Sequence, residues 1–124
     1  MRVVLDTNAL MMPVEVGVRT FDELDRLLGE YDAVVPQAVL DELDALSGGH
    51  GDEAVAASVG ADLARTRCVP VEHTATYADD AVLEVARDAD CAVTNDGPLR
   101  KRLLEANVPV IGLRGRNKLE LTEP

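Results

Sequence analysis

Along the chain, short apolar runs alternate with stretches whose apolar residues recur at helical spacing. Arg2–Asp6 (RVVLD) is an apolar run closed by an acid and predicts a buried strand. Ala33–Pro36, Cys68–Val71, Cys91–Thr94 and Val108–Leu113 predict further strands, with a short final one over Leu119–Leu121. Helical periodicity covers Thr20–Leu28, Gln37–Leu46, Asp52–Arg67, Asp79–Asp88 and Pro98–Asn107. Thr20 with Glu23 three residues on has the form of a capping box. Ser47–Gly51 (SGGHG) reads as a flexible loop, and Thr7–Val18, interrupted by Pro13 and Gly17, reads as irregular. Strands alternating with helices at this spacing imply βαβ units, so the expected fold is α/β: a central, mostly parallel sheet with helices on both faces. In such a sheet ligands bind beyond the carboxyl ends of the strands. Asp6 and Asp96 fall there by position alone.

Composition narrows the class. A length of 124 residues suits one domain, 1–124, and 47% hydrophobic residues suffice for a core. No apolar run approaches a membrane span, and no leader-like segment opens the chain, so no membrane association and a cytoplasmic setting are expected. Cys68 and Cys91 have no metal-ligand spacing, and His50 and His73 alone cannot build a zinc site. Aromatics at 2% argue against a multi-aromatic base-stacking sheet of the OB or RRM kind. The net charge is −11, and ten of the twelve basic residues are Arg, Lys101 and Lys118 being the exceptions. With abundant Ala, Val and Asp, this has the look of a halophilic proteome, in which an acidic surface reflects solubility and says little about partners. The charge is also uneven: residues 97–124 carry +3 and residues 1–96 carry −14. Arg100, Lys101, Arg102, Arg114, Arg116 and Lys118 supply the positive end, as a local anion-binding patch or as ordinary surface charge.

Each candidate acid has a structural role beside the functional one. Asp6 either satisfies turn amides or presents a carboxylate at the mouth of the sheet. Glu42 lies at the edge of the Val39, Leu40, Leu43, Leu46 stripe, beside Leu46, where it either leans into a cleft or faces water; Asp44 flanks the other edge and Asp41 points away. On the wheel of the 79–88 helix, Asp79 falls between Ala86 and Leu83 on the buried side, whereas Asp80 groups with Glu84 and Arg87. Asp79 is therefore the inward acid, unless it is the non-helical cap. Asp96, before Gly97-Pro98, is either a helix cap or a ligand.

Taken together, VLDTN, PQAVLDEL, ADDAVLEVA and TNDGPLRKRL, in that order along the chain, resemble the PIN-domain ribonucleases. The resemblance maps the family's acids to Asp6, Glu42, Asp79 or Asp80, and Asp96, with Asn8 and Thr94 as neighbouring hydrogen-bonding residues. It implies a three-layer α/β/α fold, a metal-dependent endoribonuclease that leaves a 5′-phosphate, and Mg²⁺ or Mn²⁺ on an all-oxygen donor set. Asp6 and Asp96 would hold the principal metal, and Glu42 with Asp79 would complete the acidic site or orient water. The ending TNDGPLRKRL…VPVIGLRGRNKLEL is most similar to the archaeal and eukaryotic branch linked to ribosomal RNA processing, which implies a ribosomal RNA precursor as partner. The toxin branch of toxin–antitoxin pairs is the rival, and its frequent aromatic after the last acid is Leu99 here. A non-cutting RNA- or protein-binding module is the third reading. Phosphotransfer is disfavoured: Asn8 stands where a dehalogenase-type site needs a second Asp, and a receiver domain needs paired acids where only Asp6 occurs. His50 is a loop residue, either exposed without function or a substrate contact. Leu10-Met11-Met12 is either core or a homodimer contact.

Overall fold

Val3, Val4 and Leu5 are completely enclosed, because the strand that carries them has a hydrogen-bonded neighbour on each side and helices above and below. The structure, a computed structural model, describes residues 1–124. Its elements are β1 (Arg2–Leu5), α1 (Thr7–Glu15), α2 (Thr20–Leu28), β2 (Asp32–Pro36), α3 (Gln37–Ser47), α4 (Gly51–Arg67), β3 (Val69–Val71), α5 (Ala78–Ala86), β4 (Cys91–Val93), α6 (Gly97–Glu105), β5 (Val110–Arg114) and β6 (Lys118–Thr122). The six strands form one sheet in the order β3-β2-β1-β4-β5-β6, parallel except for β6, which turns back on β5. The α/β expectation with a mostly parallel sheet is met. By the right-handed rule for parallel crossovers, α1–α4 lie over one face as the chain steps from β1 to β3, and α5 and α6 over the other as it returns through β4 to β5. The step reverses between β1 and β4, so the crevice at their carboxyl ends is the topological switch point. No helix is long and apolar enough to cross a membrane.

Two sequence expectations are corrected. Residues 7–15 are helical, not irregular. Ala9, Leu10, Met11 and Met12 are all buried, so α1 has no polar stripe to reveal its period, and Leu10-Met11-Met12 belongs to the core rather than to an exposed dimer surface. Pro13 removes the amide that would have bonded to the Ala9 carbonyl; the Thr20 hydroxyl donates to that carbonyl instead, at 3.5 Å. The capping box is likewise absent. Arg19 is the N-cap of α2 and makes no side-chain cap bond. Thr20 is buried, and Glu23 turns outward to accept from the Leu119 amide on β6 (2.9 Å), while Arg26, paired with Glu23, donates to the Leu119 carbonyl (3.0 Å). Thus α2 occupies the open edge of β6. At the opposite edge β3 is three residues long, with Pro70 in the middle.

The helices on the α1–α4 face meet through small residues. Ala56, Ala57, Gly60, Ala61 and Ala64 form the buried side of α4. Gly60 allows the closest approach: a Cβ there would stand 2.8 Å from the Leu10 carbonyl oxygen of α1. That contact fixes α1, and with it the residues at its N-terminus that face the crevice.

Candidate active site

At the switch point, the chain leaves β1 and β4 into helices α1 and α6, and an acid caps each. Asp6 is the N-cap of α1 and accepts from the Ala9 amide at 2.7 Å; Asp96 is the N-cap of α6 and accepts from the Leu99 amide at 3.0 Å. One hydroxyl ties the two ends together. Thr94, fully buried, donates through Oγ1 to Asp6 Oδ2 and accepts from the Asp96 amide (3.0 Å). Asn8 accepts from the Asn95 amide at 2.9 Å, and Asn95 in turn accepts from the Leu113 amide at 3.4 Å. The loop from β4 to α6 is thereby bound to the start of α1 on one side and to the end of β5 on the other.

Asp6, Glu42, Asp79 and Asp96 line one open cleft of about 240 Å³, together with Thr7, Asn8, Met11, Leu46, Glu15 and Glu53. Glu42 arrives beside Leu46, on the edge of α3 that the wheel indicated. The first turn of α3 is completed from a distance: its N-cap, Pro36, offers no side-chain acceptor, and His73 Nε2 accepts from the Ala38 amide at 3.0 Å. Asp79 and Asp80 separate as the wheel suggested. Asp79, at the second position of α5, faces the cleft; Asp80 lies outside the lining and is held by Arg102 at 2.8 Å. Tyr77, not Asp79, is the N-cap residue of α5.

Burial, reinforced by neighbouring carboxylates, raises the proton affinity of two of these acids, Asp6 and Asp79. Burial pushes the Asp6 carboxyl up to about 7, against the lowering effect of the Thr94 hydroxyl and the Ala9 amide, with Asp79 and Asp96 adding to the rise. Burial also raises Asp79, helped by the charges of Asp96 and Glu42 and opposed by Arg102. Glu15 and Glu53 are additional acids in this cleft that no motif marked; one ends α1 and the other opens α4, and only the packing of those helices brings them in.

No three His, Cys, Asp or Glu side chains stand close enough to form a ready cage for a metal ion. The donors nonetheless fit a hard divalent cation in kind: the cleft offers carboxylate oxygens and no lysine, arginine, histidine or cysteine. Thr7, also in the lining, has the one buried side-chain polar atom of the chain that lacks a hydrogen-bond partner, its Oγ1.

The basic residues are divided. Arg102 pairs with Asp80, Arg100 donates to the Thr122 hydroxyl (3.2 Å), and Arg114 lies 3.9 Å from Glu120. Lys101, Arg116 and Lys118 are exposed and make no ion pair. Because β5 runs parallel to β1 and β4, the β5–β6 turn bearing Arg116 leaves the sheet at the same edge as the cleft. There Arg114 and Lys118 stand directly opposite each other across the strand pair, a like-charge neighbour relation that costs stability. His50 is the exposed N-cap residue of α4, outside the cleft lining.

Comparison with known proteins agrees with this architecture. Ribonuclease VapC4 of Methanocaldococcus jannaschii is 29% identical over 127 residues, spanning 97% of this chain and 95% of that protein. The PIN domain endonuclease Utp24 superposes with a TM-score of 0.78 at 20% identity, over 99% of this chain and 92% of that one. A chain of VapBC2 from Rickettsia felis, solved bound to a DNA fragment from the promoter of its own genes, superposes at 0.65 with 16% identity, over 92% of this chain and all of that one. The family model described as a PIN-like domain matches residues 3–116, and the chain belongs to that family.

Proposed function

We propose that this protein is a metal-dependent endoribonuclease. The observation that carries the reading is the meeting of Asp6, Glu42, Asp79 and Asp96 in one cleft at the switch point, although they come from four separate parts of the sequence. The identity with Ribonuclease VapC4 along nearly the whole chain supports the reaction class. In this reading Asp6 and Asp96 hold the principal Mg²⁺ or Mn²⁺, and Glu42 and Asp79 complete the acidic site or orient water. When bound, the cation supplies an activated water, neutralises phosphoryl charge and stabilises the leaving oxygen. Thr94 holds the Asp6 carboxylate and the Asp96 backbone amide through one hydroxyl, and Asn8 holds the loop on which Asp96 stands. Asp80 is left out of the ligand set, because Arg102 occupies it.

Arg100, Lys101, Arg102, Arg114, Arg116 and Lys118 are assigned to the RNA backbone. The close pairing of Arg114 and Lys118 favours this: phosphate between them turns a repulsion into two contacts. For the biological role, the resemblance of the Thr94–Leu103 segment and the basic ending to the processing branch supports a ribosomal RNA precursor as substrate. The likeness to Ribonuclease VapC4 favours a second reading, a toxin-type enzyme.

The test is cleavage of labelled structured and single-stranded RNA with Mg²⁺ or Mn²⁺ by the native protein and by folded Asp6→Asn and Asp96→Asn variants. Metal-dependent cuts with 5′-phosphate ends, lost in both variants, are expected. Absence of both cleavage and metal binding would overturn the nuclease and leave a non-cutting module. Growth arrest on expression of the protein alone would select the toxin reading over processing.

A further inference from the structure

The chain has three aromatic residues, and two have evident structural duties. Phe21 is buried with the Arg67 guanidinium 4.7 Å over its ring, and Tyr31 packs on the core while its hydroxyl donates to Asp25 at 2.9 Å. Tyr77 has neither burial nor a side-chain hydrogen bond. At 74% exposure it is the most exposed large apolar side chain in the molecule. Its place in the fold is specific. It caps α5 with its backbone, accepting from the Ala81 amide at 2.9 Å, and stands two residues before Asp79 in the cleft.

The backbone leading to Tyr77 is firmly held. Thr74 donates to Glu84 through both its amide (2.8 Å) and its hydroxyl (2.7 Å), and the Ala75 amide donates to the same carboxylate at 3.0 Å. The neighbouring His73 bridges the Ala75 carbonyl and the Ala38 amide at the start of α3, the helix that brings Glu42 to the cleft. The ring is therefore mounted on a braced segment between the N-termini of the two helices that carry Glu42 and Asp79. Arg102, paired with Asp80 and acting by its charge on Asp79, supplies a cation at the first turn of the same helix.

We infer that Tyr77 is a stacking platform for one unpaired nucleobase of the substrate, at the N-terminus of α5 two residues before Asp79. This rests on the ribonuclease reading and adds a base-contacting residue to that site. An exposed ring gains free energy by covering a base face, and every base has one, so the platform selects for an unpaired nucleotide rather than for a particular base. Bases in a duplex have both faces occupied by their neighbours and cannot lie on the ring. The low aromatic content that argues against a multi-ring binding sheet is compatible with a single ring placed beside the acids.

The absence of tryptophan makes the idea directly measurable. In a Tyr31→Phe background, Tyr77 is the only tyrosine, and its fluorescence is followed while a short single-stranded RNA is titrated into the protein in EDTA. Saturable quenching by the single strand, and much weaker quenching by a duplex of the same sequence, are expected. Tyr77→Ala and Tyr77→Leu, assayed by anisotropy of labelled RNA, should each weaken single-strand affinity on the order of tenfold, whereas Tyr77→Phe should retain it. The loss should persist at high KCl, where phosphate contacts fade. Equal quenching by duplex and single strand, or undiminished affinity in Tyr77→Ala, would overturn the platform even if the native protein cleaves RNA. Ring-dependent binding with no metal-dependent cleavage would retain the platform and overturn the nuclease.

Discussion

Replacing Asp6 by Asn should alter the stability of the metal-free protein with a sign that depends on pH. In the unfolded chain this carboxyl ionises near 3.8; in the folded protein burial raises it to about 7. Between these values the folded form keeps a proton that the unfolded form has lost, so stability falls as pH rises through that window and stays low above it. A separation of about three pH units corresponds to roughly 4 kcal/mol at full ionisation. The substitution removes this penalty but adds another. The new amide oxygen still accepts from Ala9, while its NH₂ group faces a Thr94 hydroxyl that already accepts from Asp96, leaving the Thr94 proton without a partner at a cost of about 1–3 kcal/mol. Asp6→Asn is therefore expected to be less stable than the native protein near pH 4 and more stable by about 1–3 kcal/mol at pH 8, the two curves crossing between. Thermal unfolding in EDTA, followed by circular dichroism across this range, should show the crossing, at roughly 3–5 °C per kcal/mol for a chain of this size. Added Mn²⁺ should raise the midpoint of the native protein far more than that of the variant. Parallel curves with no crossing would refute the assignment of a buried, proton-retaining carboxyl at this position.

Gly60→Ala should destabilise by about 1–2 kcal/mol in urea, since the clash with the Leu10 carbonyl outweighs the gain in helix propensity; because the obstacle is backbone, adding Leu10→Ala should not restore stability. Asp79→Asn should lower RNA cleavage at least about a hundredfold, and Asp80→Asn only a few-fold, because Arg102 already draws Asp80 away from the cleft. Equal losses in the two variants would show that the cleft lining has been misread. Glu23→Ala should speed hydrogen exchange at the Leu119 amide with little change elsewhere in the sheet, since Glu23 is the acceptor for that amide; its carboxyl, held down to about 2 first by Arg26 and then by the Leu119 amide, should keep the bond intact through mild acid.

Much of the fold was legible because its patterns are local. The strands announce themselves as valine-rich runs, and α2–α6 each leave a polar stripe facing water. α1 left none, being buried at four successive positions, and Pro13 disguised it further. The Thr20–Glu23 pair shows the opposite failure: a correct local motif was overridden when Leu119, 96 residues beyond Glu23, competed for its carboxylate. For Asp6 and Asp96, the sequence posed capping and cation binding as rivals, yet each is a cap and also lines the cleft. A carboxylate with one oxygen engaged by a helix amide is held in place for other duties. Glu15, Glu53 and the hydroxyl of Thr7 were invisible in sequence because their meeting depends on how α1 and α4 cross, and nothing in the one-dimensional pattern reports a crossing.

The two ends of the sheet bear on how this molecule associates with others. A parallel sheet this short offers two rows of free amides and carbonyls, and a foreign strand extends it wherever such a row lies open. Here the Glu23–Arg26 pair already answers the donor and acceptor of Leu119, and Pro70 withholds a donor at the far side. Strand addition is thus disfavoured at Leu119 on one edge and at Pro70 on the other, which counts against edge-to-edge polymerisation at high concentration. Partners then meet it by side-chain contact rather than by pairing along a strand edge.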